Sequence, residues 1–409
     1  MVSALPEGEP MPDDGSLPGS VAVGADSRTF SAYVHIPFCS HRCGYCDFNT
    51  YTAGELRGVT HSSYPDSLVE EIRRSSDVLT RAGVHSRSLT SVFFGGGTPT
   101  LLPASSLIHV LGALRTEHGL HPAAEITVEA NPDTLSPQYL AELVAGGVTR
   151  LSIGMQSAVP HVLSVLERSH NPNNVSHAVR WARDAGLEVS VDVIYGTPGE
   201  SLDDWNVTID AVSDMALQHV SAYSLIVEEG TAMARKIRSG AVPAPDPDLQ
   251  AEMYERADQR FGELGLRWYE ISNWSSSVET ESVHNRAYWT GQDWWGYGPG
   301  AHSHIGGVRF WNAKHPAAYA ARIAADTTPA VGQETLTEQE RFVERVLLES
   351  RLRDGLAVAG LSEDVLTQLA EENLVELHSD DPSGDEMHRA VLTQRGRLLA
   401  DDVARRLTD

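Results

Sequence analysis

Three cysteines occur in the 409-residue chain, and all of them lie in Cys39-Ser40-His41-Arg42-Cys43-Gly44-Tyr45-Cys46. The spacing is C-x3-C-x2-C. Iron–sulfur clusters are held by cysteine thiolates, and three thiolates ligate three corners of a [4Fe–4S] cube. The sequence has no fourth cysteine for the fourth iron, which leaves that corner open to a small molecule. The competing readings are three unrelated buried thiols, or a zinc site completed by His35 or His41. Structural zinc sites pair two short Cys/His repeats across a longer gap, and the second repeat is missing.

Other chemistry-bearing residues follow the same logic of position. Gly95-Gly96-Gly97-Thr98-Pro99 sits just after an apolar run, and glycines let a backbone approach a ligand without a Cβ in the way. Glu129 and Gln156 end further β-type runs and Asp192 lies inside one. A carboxylate inside a barrel strand is costly unless paired, so Glu129 and Asp192 call for a hydroxyl or cationic partner. Arg168 has the fork geometry to hold a carboxylate. Residues 266–312 hold six of the eight tryptophans, Trp268, Trp274, Trp289, Trp294, Trp295 and Trp311, together with His284, His302 and His304. Such a stretch packs as core, or forms a surface for a flat macrocycle with a histidine as axial iron ligand.

These groups need a scaffold. Strand-like runs are read at Ala32–Ile36, Ser91–Phe94, Ile126–Glu129, Leu151–Gly154, Val189–Ile194 and Val220–Leu225. Helical stretches fill the gaps. One from Tyr64 places Leu68, Ile72 and Leu79 at helical spacing. Another opens at Ser136-Pro137 and stops at Gly146-Gly147. A third stops at Gly186, and a fourth opens at Ser201 with Asp204 three positions on, a capping-box pattern. Six strands alternating with helices predict an α/β protein with a parallel sheet, a partial, open (β/α)6 version of the TIM barrel. Functional groups then belong at the C-terminal ends of the strands, where the cysteine loop already lies.

The chain divides into a leader over 1–29, poor in large apolar residues and expected to be disordered, a barrel core over 30–240, an aromatic-rich segment over 241–330 closing the barrel's open side, and a last part over 331–409. The last part reads as helix, helix, strand, turn (380–384), strand, helix, a winged-helix-like order. Net charge is −25. That excludes a phosphate-backbone partner as the leading reading, since nucleic-acid binding calls for clustered Lys and Arg, and the last part is read as a lid or partner surface instead. No apolar run approaches the roughly 18 residues of a spanning helix, no signal peptide is read at the N-terminus, and no cysteine is left for a disulfide, which fits a reducing cytoplasm.

The cysteine spacing resembles that of the radical S-adenosylmethionine (SAM) superfamily. Tyr33-Val34-His35-Ile36-Pro37-Phe38-Cys39, Gly95-Gly96-Gly97-Thr98-Pro99-Thr100, Ile194-Tyr195-Gly196-Thr197-Pro198-Gly199 and Gly396-Arg397-Leu398-Leu399-Ala400 are similar to the family of oxygen-independent coproporphyrinogen III dehydrogenases and their heme-chaperone paralogues. The resemblance implies a [4Fe–4S] cluster on Cys39, Cys43 and Cys46, and SAM chelating the open iron. By position it implies SAM contacts from Gly96, Gly97, Thr98, Glu129, Gln156, Arg168 and Asp192, with Tyr33 and Tyr45 flanking cluster and SAM. One or two SAM molecules remain open. The dehydrogenase has a further cysteine two positions after the third cluster ligand, where this chain has Phe48. The chaperone carries His-Asn-x-x-Tyr-Trp, matched by His284-Asn285-Arg286-Ala287-Tyr288-Trp289. The resemblance therefore implies heme binding through His284, with Tyr288 and Trp289 beside the porphyrin, and transfer to heme-requiring proteins such as respiratory enzymes, aided by an electron donor. Oxidative decarboxylation of coproporphyrinogen propionates, or radical-SAM chemistry on another substrate, are the alternatives. Peripheral membrane contact and a homodimer are left open.

Overall fold

The computed structural model describes residues 8–85, 87–168, 170–379 and 388–409. Six parallel strands, each followed by a helical layer, form the core of the large body: β1 (Phe30–Ile36), β2 (Leu89–Gly96), β3 (Leu120–Ala130), β4 (Arg150–Gln156), β5 (Glu188–Tyr195) and β6 (His219–Ser224). They lie side by side in chain order, as short right-handed crossovers require. Each expected run falls inside one of them except the last, which runs one residue past β6 to Leu225.

The helices begin and end where the sequence signals stand. α1 (Tyr64–Arg81) buries Leu68, Ile72 and Leu79. α2 (Ala104–Glu117) follows β2. Ser136 caps α3 (Pro137–Gly146) by accepting from the Tyr139 N–H, and Gly147 ends it in the left-handed region. α4 (Pro172–Asp184) stops just before Gly186. α5 (Leu202–Asp214) carries the reciprocal Ser201–Asp204 capping box, and α6 (Pro247–Glu263) follows β6.

Residues 266–312 extend the sheet at both edges. β7 (Arg267–Glu270) and β8 (Asn273–Ser275) pair antiparallel beyond β6. β9 (Asp293–Tyr297) adds a seventh parallel strand beside β1, followed by β10 (His302–Ile305), β11 (Val308–Asn312) and β12 (Ala330–Thr335), each antiparallel to its neighbour. The chain between β8 and β9 crosses the open side and carries a short helix, α7 (Val283–Trp289).

Two expectations are corrected, and one left open is decided. Residues 8–29 of the leader are packed. Glu9–Pro10 pairs with Gln333 and Gly332, Val21 is fully buried, and Arg28 joins Arg87 on the buried Asp293 at 3.0 and 2.8 Å. Met11, Leu17, Val21 and Ala25 enter the main core while Val23 stays exposed, so a few well-placed apolar side chains suffice to dock the segment. β12 belongs to the large sheet, which therefore runs past the boundary set at 331. The aromatic-rich stretch is mainly interior: Trp274, Trp295 and Trp311 are buried.

The C-terminal part has its own core of Val346, Leu356, Leu369, Val403 and neighbours. It comprises α8 (Glu338–Glu349), α9 (Glu363–Glu371), α10 (Ala400–Thr408) and a three-stranded sheet of Leu356–Ala357, Val375–His378 and Arg389–Leu392. The turn expected at 380–384 lies outside the described residues. Arg397 joins this core to the helix Pro247–Glu263, forking onto Asp258 at 2.9 and 2.7 Å and stacking on Trp268.

Candidate functional site

The cysteine loop leaves β1 at its C-terminal end and is held in place by backbone bonds. Tyr51 N–H donates to Pro37 O, Cys39 N–H to Tyr51 O and Cys46 N–H to Cys43 O. The Gly97 and Thr98 N–H groups donate to Ile36 O and Phe38 O at 2.8 Å, which docks the glycine stretch onto the loop. The three thiols are half-buried and line one cavity of about 540 Å³. Burial pushes the Cys46 thiol up to about 12 and raises that of Cys39. A thiolate there needs a strong cation, and iron supplies one. Among the described residues, no three His, Cys, Asp or Glu side chains converge to hold a single metal ion. A lone zinc requires such convergence, whereas a cluster spreads its ligands over separate irons. The donor set fits the cluster.

The cavity gathers the sequence candidates. Tyr33, Tyr45, Gly96, Gly97, Thr98 and Glu129 line it, as do Gln156, Arg168 and Asp192. The glycines have a reason beyond ligand approach: a Cβ on Gly96 would meet the His35 ring at 2.6 Å, and one on Gly97 would run into the Phe38 carbonyl. Gly154 leaves room for the Gln156 amide and the Arg168 guanidinium. Arg168 donates to Cys43 Sγ at 3.7 Å and to Gly154 O at 3.3 Å. Glu129 accepts from the Gly96 N–H at 3.0 Å. Burial, and secondarily the Asp192 charge, push Glu129 up to about 8. Burial also raises Asp192, against a 2.8 Å bond from Ser152 Oγ. A carboxyl pair held above its ordinary range is a site for a positively charged or hydroxyl-bearing ligand.

Below this level the barrel is plugged by α7. Glu125, on β3, accepts from Ser282 Oγ and from the Val283 and His284 N–H groups at 3.0–3.2 Å. Arg150 sits against Glu125 at 3.4 Å and donates to Thr280 O. His284 is 2 % exposed and stacks on Phe93 with ring centroids 5.0 Å apart. Ser91 Oγ donates to Ser31 Oγ, so the 2.8 Å contact to His284 takes the Nδ1 proton. Nε2 then keeps its lone pair and accepts from Tyr288 OH at 3.0 Å. Burial lowers His284 to about 3 and keeps it neutral. His284 and Tyr288 line the cavity. Trp289 does not: its indole donates to Asn285 Oδ1 and faces the Arg351 guanidinium of the C-terminal part.

Several lining residues escaped the sequence reading: Phe93, Thr127, Arg150, Ser190, His219 and Ser221. Their signal was strand parity. Side chains two apart share a face, so Thr127, Ser190 and Ser221 point the same way as Glu129, Asp192 and Tyr223.

Residues 33–212 match the profile of the Radical SAM superfamily. A structure titled "Coproporphyrinogen III oxidase (HemN) from Escherichia coli is a Radical SAM enzyme" superposes with a TM-score of 0.80 over 95 % of this chain and 92 % of that one, at 22 % identity. Fold and site thus define a radical SAM protein with a partial TIM-like barrel. Curated relatives narrow this further. The heme chaperone HemW of Mycobacterium tuberculosis is 43 % identical over 96 % of this chain and 97 % of its own length. HemW of Bacillus subtilis is 33 % identical over 91 % and 97 %. The chain belongs to the HemW family of heme chaperones.

Proposed function

We propose that this chain binds heme and passes it to heme-requiring proteins, respiratory enzymes among them, from a radical-SAM core that holds a [4Fe–4S] cluster and SAM. The observation that carries the heme reading is His284. It is neutral, its Nδ1 proton is fixed by Ser91, and its Nε2 lone pair faces the cavity residue Tyr288. A metal-ligating histidine needs that arrangement, with one nitrogen anchored and the other free to bind. Tyr288 OH yields Nε2 to the iron and lies beside the porphyrin. Trp289, outside the cavity, holds Asn285 and through it the shape of α7.

Cys39, Cys43 and Cys46 hold the cluster. Arg168 takes the SAM carboxylate, the Gly96–Thr98 stretch its amino group, and Glu129 and Asp192 its ribose and sulfonium side, while Gln156, Tyr33 and Tyr45 wall the site. When bound and reduced by an electron donor, this pair supplies one-electron cleavage of SAM. Porphyrinogen decarboxylation is the weaker reading: at the position where the dehydrogenase adds a cysteine, Phe48 is 60 % exposed at the cavity mouth. No helix among the described residues is long and apolar enough to cross a membrane. We further assign the C-terminal winged-helix-like part as the recipient-facing surface.

The test is transfer. Heme-loaded protein, prepared anaerobically with its cluster, is mixed with a heme-free respiratory oxidase, and holo-oxidase formation is compared with that from an equal amount of free heme. Faster formation supports the reading. An equal rate, or turnover of coproporphyrinogen to protoporphyrinogen with SAM and reductant, overturns it.

A further inference from the structure

His284 and the residues given to SAM open into one cavity of about 540 Å³. A pocket for one drug-sized ligand runs to about 300–1,000 Å³, and SAM and heme are each a ligand of that size. One lining serves both: Gly96, Glu129, Gln156 and Asp192 face the same space as His284 and Tyr288.

Strand register gives the spacing between the two sets. Tyr33 on β1 stands opposite Phe93 on β2, and Phe93 opposite Thr127 on β3. The His284 ring stacks on the Phe93 ring with centroids 5.0 Å apart and lies 6.5 Å from the Tyr33 ring, so it belongs to this layer. Glu129 follows Thr127 by two residues and faces the same way, which places it about 7 Å further along the strand. The carboxyl given to the SAM ribose is thus one side-chain layer above the imidazole given to heme iron. After burial, the Glu129 charge is what raises the Tyr288 phenol, and it raises Tyr33 as well.

Heme also has a single way in and out. His284 is 2 % exposed, and Ser91 takes its Nδ1 edge. Below it α7 closes the barrel, held on Glu125 by three bonds. A macrocycle on Nε2 therefore arrives and departs past the level of Glu129, and it is wider than the step between the two layers.

We propose that SAM and heme are mutually exclusive ligands of this cavity, so that SAM, by binding and without being cleaved, drives heme off His284. The inference rests on the reading of His284 as heme ligand. The chain then loads heme before SAM binds, and SAM arriving at the cluster discharges the heme toward its recipient. Antagonism in binding is reciprocal, so heme weakens SAM by the same factor.

The test uses the full chain with its cluster reconstituted anaerobically and left unreduced, so that SAM binds without being cleaved. Heme is titrated through the Soret band at rising SAM, and SAM binding is measured by equilibrium dialysis with and without heme. With SAM at about ten times its own dissociation constant, apparent heme affinity is expected to fall about tenfold. SAM affinity should fall equally under matching heme. S-adenosylhomocysteine, which keeps the ribose and lacks the sulfonium charge, should displace heme as SAM does at equal occupancy. Methionine, which has the groups for the open iron and Arg168 but no ribose, should leave heme binding unchanged. Heme affinity unmoved by saturating SAM, or both ligands bound at full stoichiometry on one chain, would overturn the exclusion. So would slower heme loss with SAM present, which would make SAM a cap over heme, or equal displacement by methionine. His284→Ala separates the two readings. Heme binding that persists in the variant fails the heme reading and the exclusion with it. Heme binding that needs His284 yet ignores SAM overturns the exclusion alone.

Discussion

The rim and the floor of the barrel cavity are built by opposite means. The rim is local: three cysteines within eight residues, docked on one glycine stretch by backbone bonds from Gly97 and Thr98. The floor is assembled from distant residues. Ser91 and Glu125 reach α7, Arg150 reaches Thr280 just before it and His219 reaches Tyr269 only because six strands align in register. A local motif survives translation into three dimensions almost unaided, whereas a constellation set by register appears only once the sheet is known.

The largest expected effect sharpens the rim side. Cys43→Ala should leave the anaerobically reconstituted protein with background iron and acid-labile sulfide and no SAM cleavage, while circular dichroism stays that of the folded chain, because the loop is held by backbone bonds. Loss of the fold together with the iron would mean that the thiol, not those bonds, shapes the loop.

Glu125→Gln addresses the floor. It removes the charge that matches Arg150 and weakens three bonds at the start of α7. Breaking one side of a buried pair costs about 3–5 kcal/mol. Urea unfolding should show a loss of that size with α7 released. A loss below about 1 kcal/mol would mean that α7 is held elsewhere.

Between rim and floor lies Glu129. Its carboxyl is raised to about 8 when folded, mainly by burial. The folded chain then holds a proton that the unfolded chain has released, so stability falls as pH rises from about 4.5 to 8. Glu129→Gln removes that fall. It should match the wild type near pH 4.5 and exceed it by on the order of 2 kcal/mol at pH 8, less than the full shift implies because the cavity admits water. Equal stability of the two at pH 8 would show that the Glu129 carboxyl is not raised.

The smallest effect belongs to Tyr288→Phe. Losing its bond to His284 Nε2 should cost about 1 kcal/mol of stability. Because the same bond competes with iron, heme affinity should rise rather than fall. A drop in affinity would place Tyr288 on the porphyrin as a holding residue only.

Much of this was legible in the sequence. Apolar strand-like runs and Ser, Pro and Gly punctuation located six strands and their helices, since caps and breakers act within a few residues. The cysteine spacing located the cluster. What stayed hidden was non-local. Met11 and Val21 look like stray apolar residues until the main core receives them. Trp274 and Trp311 could be read as core or surface from the sequence and are interior, because only the sheet order says which face each strand buries. Thr127 and Ser221 look ordinary in their strands and become a cavity wall only by sharing a face with Glu129 and Tyr223.

The central claim is that the α7 histidine is where heme iron is held. Heme titration of anaerobically prepared protein, wild type beside His284→Ala with cluster content matched, tests it most directly through the Soret band. The account predicts a shifted band and markedly weaker binding in the variant. An unchanged band and affinity would contradict it and move the heme away from the barrel floor.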